Sequence, residues 1–356
     1  MQQYRVEARW VVVFVVLIFS FPAAFASEQP NIPKDTKWRN SRITLSLSRA
    51  LDASSNLPTD LRLIVRRSLL AWSSQTSISF EVVDSDLQSA SPKGAKGDGI
   101  SLITSALTAE NLRLFPRQAA SPAAVTRVFR DWRGYITEAD IVLNPYVRFS
   151  VDGSFDTFDL QDTLTHEIGH LLGLQHSPVW GSIMFSRASR GLGPAFFKGS
   201  RNDLPEVDSS SVRALYGPRI DDLKCCGSVS GRIAENLPAA RILVWMEDAG
   251  TGRLIAATTP DKDGGYRMDG VPEGDFSLYA ASEGQSYEFA NDTARIAVAV
   301  GESAFKNFDL RSSRSETRVH LLGTSVRLAG LPVELGLISQ DLFLGLEGSP
   351  ENISRV

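Results

Sequence analysis

Three of the chain's four histidines lie in one short stretch, LTHEIGHLLGLQHSPVWGSIMF, from Leu164 to Phe185. His166 and His170 are four residues apart, a spacing that stacks both rings on one face of a helix. Glu167 stands beside the first ring. Two imidazoles and an adjacent carboxylate are the parts of a hydrolytic zinc site in which the carboxylate is the general base and not a ligand. Such a site wants a third protein ligand and an open position. His176 supplies that ligand if Gly173, which accepts positive φ without a Cβ clash, turns the chain back. The competing account is an accidental HExxH on an amphipathic helix. Gly173, His176 and the apolar Ile168, Leu171, Leu172 and Leu174 argue against it.

The helix that must carry the pair is predicted over 160–174, with Asp159 as its cap and Asp162 in its first turn. An earlier helix is expected over 57–72, where Leu61, Ile64, Val65, Leu69 and Trp72 share a face opposite Arg62, Arg66 and Arg67. A third is expected over 206–216, stopped by Gly217 and Pro218. Alternating RITLSLS (42–48) and SISFEVV (77–83) read as strands, as do ISLIT (100–104), AAVTRVF (123–129) and ADIVLN (139–144). Together they give an α+β domain, a twisted mixed sheet carrying an active-site helix. From Gly227 onward the helical periods vanish. Short alternating segments divided by Gly, Pro, Asp and Asn indicate an all-β sandwich.

At this point a resemblance emerges. His166-Glu167-x-x-His170-x-x-Gly173-x-x-His176 resembles the metzincin signature, and Ser182-Ile183-Met184 fits the Met-turn expected beneath the metal. Ser177 after the third histidine is similar to matrixins, the matrix-metalloproteinase group. Trp38, Trp72, Phe80 and LPEVDSSSVRALYG (204–217) resemble matrixin landmarks, so the likeness covers roughly residues 35–218. It implies a zincin-like fold and one catalytic zinc on His166, His170 and His176. It further implies a zinc-activated water with Glu167 as general base, Met184 as an apolar floor, and protein or peptide substrates lying along the AAVTRVF strand. The loop SRASRGLGPAFFKG (186–199) would wall the pocket beyond the cleaved bond. The chain departs from the pattern in two respects. A second, structural zinc is not expected, because the remaining histidine, His320, lies far from the motif. No cysteine precedes the first strand to act as a latch, which leaves Cys225 and Cys226 as the candidate thiolates. Asp152, Asp156 and Asp159 offer oxygen ligands for Ca2+, but a capped, solvated turn accounts for them equally well.

A second resemblance covers about 227–310. Asp263-Gly264, Tyr266, Gly270-Val271-Pro272, Gly274 and Phe276 are similar to the carboxypeptidase regulatory-like, transthyretin-type sandwich, which implies a scaffolding or binding role, with a stabilising appendage as the equal alternative.

The termini and composition complete the expected organisation. Arg5 and Arg9 precede an apolar run ending in Ala24-Phe25-Ala26, in the order of a signal peptide cleaved after Ala26, which predicts export and no stable membrane span thereafter. With two adjacent cysteines the fold is not stapled by disulfides; the pair bonds to itself in a strained ring, bonds to another chain, or is a linker detail. A net charge of −4, without a Lys/Arg cluster that could track phosphates, argues against a nucleic-acid partner. The expected domains are a signal peptide (1–26), a matrixin-like zinc metalloprotease domain (27–218), a linker (219–226), a sandwich folding independently (227–310) and a β-rich tail of unassigned role (311–356). The expected activity is that of a secreted zinc endopeptidase. The alternative is an exported adhesion or binding protein with a non-catalytic metalloprotease-like domain, and the intact Glu167 speaks for the enzyme.

Overall fold

The computed structural model describes residues 36–115, 122–185, 203–234, 242–283, 287–289, 294–310, 324–328 and 331–335, apart from single positions 55, 59, 95, 153, 155, 178, 180 and 181. The segment read as a signal peptide, the pocket-wall loop 186–199 and His320 lie outside the described residues.

Strand β1 (Arg42–Ser48) runs parallel to β2 (Ser79–Ser85), with Ile43 opposite Phe80 and Leu45 opposite Val82, and parallel to β3 (Leu102–Thr104) on its other side. Next to β3 runs β5 (Ile136–Leu143), also parallel, and β4 (Ala124–Arg130) pairs antiparallel with β5. The sheet order is β2-β1-β3-β5-β4, which leaves β4 at one edge. Helix α1 (Leu61–Ser73) joins β1 to β2, and α3 (Leu160–Leu171) packs on α1 and β4. A short α2 (Ala109–Leu112) lies between β3 and β4, and the two-residue β6 (Phe149–Ser150) and β7 (Phe158–Asp159) lead into α3. One cluster of buried side chains unites the sheet and helices: Ile43, Leu45, Ile64, Leu69, Trp72, Ile141, Leu164, Ile168 and their neighbours.

Two helices are shorter than the apolar pattern suggests. In α1 the residue before Pro58 is disfavoured in the helical region, and the helix opens only after Asp60. In α3 the apolar run continues to Leu174 but the helix does not. Gly173, at φ +97°, donates its N–H to His170 O, and the Leu174 N–H reaches Gly169 O, both at 2.9 Å. That is a Schellman stop, and the leucines beyond Leu171 belong to the turn. The other end of α3 is capped as expected, with Asp159 accepting from the N–H groups of Gln161 and Asp162.

Helix α4 (Glu206–Tyr216) precedes two further sheets. In one, the order is β10 (Leu254–Thr258), β9 (Ile242–Asp248), β12 (Gly274–Glu283), β13 (Tyr287–Phe289), with β14 (Ala294–Val298) also on β12. In the other, β8 (Cys225–Ala234) lies between β11 (Gly265–Pro272) and β15 (Ser303–Phe305), with β16 (Phe308–Asp309) also on β8. Val229, Val244, Met246, Tyr266, Phe276, Leu278 and Phe308 from both sheets share one core. Strand β8 opens at Cys225, so the last two residues of the expected linker 219–226 belong to the sheet, where Cys225 pairs opposite Pro272. Within the tail, β17 (Thr324–Leu328) and β18 (Leu331–Leu335) form an antiparallel pair. Among the described residues no helix is long and apolar enough to cross a membrane.

Candidate metal centre

Helix α3 presents His166 and His170 one turn apart, and the Schellman turn brings His176 back to them. The Nε2 atoms of His166 and His176 lie 3.1 and 3.2 Å from His170 Nε2. Among the described residues these three form the group whose ligand atoms come within metal-binding reach, all within 4.8 Å of one another.

Their outer nitrogens decide what the inner ones can be. His166 Nδ1 lies 2.7 Å from Ile183 O and His170 Nδ1 lies 2.9 Å from Leu174 O. A carbonyl only accepts, so both Nδ1 atoms carry the proton and both Nε2 atoms present lone pairs. Burial, then the neighbouring His166, pushes His170 down to about 4, so this ring is neutral at ordinary pH. Burial, then His170 and His166, pushes His176 down to about 4 as well. Facing lone pairs at this distance repel unless a cation sits among them. Zinc bonds of about 2.1 Å in tetrahedral array need nitrogens about 3.4 Å apart, close to the spacing found. The triad therefore fits a zinc site.

Glu167 is buried beside the histidines. Burial pushes its carboxyl up, opposed by the neighbouring His166, Thr126 and His176. The Thr126 hydroxyl, on edge strand β4, contacts Glu167 Oε2 closely and lies 3.1 Å from Glu167 O. The same contact places the open edge of the sheet next to the carboxylate.

Met184 packs against helix α3 at Gly169 and explains a residue inside the motif. A Cβ on Gly169 would fall 2.2 Å from Met184 Sδ and 2.9 Å from Trp72 Cζ2. Trp72 is itself fixed by Nε1 donating to Thr165 O at 2.8 Å. The loop that carries Met184 closes on itself through Ser177 N–H donating to Met184 O at 2.8 Å.

In the sequence alone, four supporting residues, Asp208, Thr126, Tyr216 and Trp38, show no structural role. Asp208, in the first turn of α4, accepts from Ser182 Oγ at 2.6 Å, Ile183 N at 2.8 Å and Met184 N at 3.3 Å. Burial pushes its carboxyl up to about 6, against the pull of those three donors. Because Ile183 O in turn holds His166, a continuous bonded path runs from α4 to a metal-site nitrogen. An acid in a first helical turn signals dipole compensation, which masks this second use. Thr126 reads only as a strand residue. Tyr216 and Trp38 clamp the end of α3: the Tyr216 hydroxyl donates to Leu172 O at 2.6 Å and accepts from Trp38 N, while Trp38 Nε1 donates to Leu171 O at 2.8 Å.

The oxygen ligands considered for calcium have local duties. Asp152 accepts from Ser154 N and Oγ, Asp159 caps α3, and Asp156 sits at φ +58° in the turn between them. These contacts give the solvated, capped turn its content and none of them points to calcium. The candidate latch thiolates, Cys225 and Cys226, are bonded to each other here, and Cys225 is buried.

Comparison with known proteins bears on this region. Residues 119–217, which hold β4, β5, α3, the triad and α4, match the Matrixin family. The chain is 29% identical over 202 residues to Metalloendoproteinase 1-MMP of Arabidopsis thaliana, covering 52% of this chain and 47% of that protein. It is 26% identical over 200 residues to Matrix metalloproteinase-20 of Homo sapiens, covering 52% of this chain and 34% of that one. A 60-residue segment is 43% identical to Metalloendoproteinase 5-MMP of Arabidopsis thaliana, covering 17% of this chain and 14% of that protein. The chain thus spans about half or less of the relatives it matches. These likenesses support a metzincin-like catalytic domain in this part of the chain.

Proposed function

We propose that the chain is an exported zinc endopeptidase in which His166, His170 and His176 hold the metal and Glu167 is the general base. The convergence of three imidazoles, two of them locked with lone pairs inward, carries the reading. Held there, a zinc ion would supply Lewis acidity to the scissile carbonyl and would make the attacking water more acidic. Glu167 takes the proton of the attacking water and delivers it to the leaving amine. Thr126 orients the carboxylate while it does so. Met184 keeps the floor of the site apolar and rigid. An extended peptide adds to the open edge of β4, the recognition mode in which main-chain bonds give affinity and side-chain pockets give specificity. Residues 1–26 direct export. The sheets of 225–310, grouped as a transthyretin-type sandwich, serve as scaffold or binding module. The competing reading of a non-catalytic binding protein lacks support, because the base and the ligand set are both intact.

Zinc analysis of the purified protein and of Glu167→Ala, with a peptide-library digest of each, tests the proposal. The variant is expected to retain one zinc and lose roughly 10²–10⁴-fold in hydrolysis. His176→Ala is expected to lose the metal itself. Wild-type rates in Glu167→Ala would refute the assignment of the base.

A further inference from the structure

All the triad residues and Met184 precede the C-terminal sheets, yet the loop that carries His176 and Met184 is not covered by the catalytic core alone. Val179 sits between His176 and Met184 and has no exposed surface. It is absent from the cluster around α1 and α3 and belongs to another, with Val207 of α4, Leu243 and Trp245 of β9, Leu254 of β10 and Ala281 of β12. Helix α4 is therefore apolar on two sides: Val212 and Leu215 join the catalytic core, while Val207 joins the sheet. Polar ties reinforce the seam. Ser210 Oγ donates to Ile255 O at 2.9 Å, and buried Arg213 donates through Nε to Gly270 O at 3.0 Å. Trp245 is held firmly in the middle, stacked on Tyr279 with ring centroids 5.3 Å apart and donating through Nε1 to Glu247 at 3.0 Å.

We propose that this sheet is a working part of the metal centre, with Trp245 as the positioning residue that seats the Val179 loop and the first turn of α4. The inference rests on the zinc reading above. Two short routes lead from the seam to the metal site. Val179 O accepts from Ser182 N at 3.3 Å, at the start of the Met184 turn. Val207 adjoins Asp208, whose carboxylate fixes Ser182, Ile183 and Met184, and Ile183 O holds His166. A loop released from Trp245 loses its apolar anchor at Val179, and the α4 turn loses its anchor at Val207. The orientation of His166 and the return of His176 both depend on that loop.

The test measures zinc affinity by chelator competition, and the visible spectrum of the cobalt-substituted protein, in full-length Trp245→Ala, Trp245→Phe and Leu278→Ala. Leu278 is buried on β12 in the core shared by the two C-terminal sheets, away from the seam. Its truncation weakens the same sheet without touching the loop. Trp245→Ala is expected to weaken zinc about 10–100-fold, the cost typical of losing a support behind a ligand, and to shift the cobalt bands. Trp245→Phe restores affinity to within about threefold of the parent by the same measure, and Leu278→Ala leaves it unchanged. Leu254→Ala, a smaller deletion at the same seam, replaces Trp245→Ala if the latter does not fold, with the same expected loss. Unchanged zinc affinity in the seam variant, or an equal loss in Leu278→Ala, overturns the inference. A parent protein that binds no zinc overturns the metal reading itself and this inference with it, a result distinguishable from the other two.

Discussion

Inside the metal motif, Gly169 shows how tightly single residues are specified. Alanine there gains about 1 kcal/mol of helix propensity over glycine. Its methyl group, however, meets Met184 Sδ and the ring of fully buried Trp72. The methionine can swing; the tryptophan, bonded to Thr165 O, cannot. Overpacking of this kind costs about 1–3 kcal/mol, so Gly169→Ala is expected to be net destabilising by denaturant titration and to weaken zinc. A variant as stable as the parent would show that the floor of the site is soft. Asp208→Asn probes the opposite side of that floor. Three donors converge on the carboxylate, and an amide turns one acceptor into a donor. A loss of about 1–3 kcal/mol is expected, with weaker metal retention; stability equal to the parent would mean that the donors find other partners. The zinc motif was legible because its chemistry requires particular side chains at particular intervals. Asp208 and Thr126 were not, because an acid at a helix start and a threonine in a strand each have an ordinary use.

Strand β5 supplies the pH-sensitive element. Asp140 is buried in it and accepts from Ser91 N at 2.7 Å and Leu102 N at 3.0 Å, which ties the β2–β3 connection to the sheet. Burial, aided by Glu138 and Asp98 and opposed by those two bonds, pushes its carboxyl from 3.8 up to about 7. The folded group thus holds its proton at pH values where the unfolded one has lost it. Its contribution favours folding most fully below about pH 4 and is lost as pH rises towards about 7. Unfolding free energy measured from pH 4.5 to about 7.5 is expected to fall through this group, and Asp140→Asn to flatten the slope. Equal slopes in parent and variant would assign the dependence elsewhere. This strand also marks a limit of sequence reading. Its apolar half was visible from Ala139, but Glu138, charged and buried, gave no reason to start the strand at Ile136. Alternation located β1 at its full length, and Gly217 located the end of α4. The run of leucines after His170 hid the end of α3, because a Schellman turn uses apolar residues just as a helix does.

At the scale of the whole molecule, the change of texture near Gly227 announced two kinds of structure, but not that they share a seam. Val179, Val207 and Trp245 are isolated apolar residues in a loop, a helix start and a strand, with no periodicity to link them. The described residues of helix α4 and of the C-terminal sheets share buried contacts across that seam. Coupling between two sites is reciprocal: if the C-terminal sheet favours zinc binding, zinc must favour the sheet by the same factor. Removing the metal should therefore loosen more than the loop that holds it. Amide exchange followed with and without a chelator is expected to speed up in the His176–Met184 loop, in the first turn of α4, and in β9 and β10. Strands β8 and β15 lie in the other sheet, away from the cluster containing Val179, and should be little changed. A tenfold change in zinc affinity across the seam corresponds to about 1.4 kcal/mol, and so to about a tenfold change in exchange where opening is local. If β9 exchanges equally fast with and without the chelator while the loop responds, the seam is mere contact and the catalytic half holds its metal unaided.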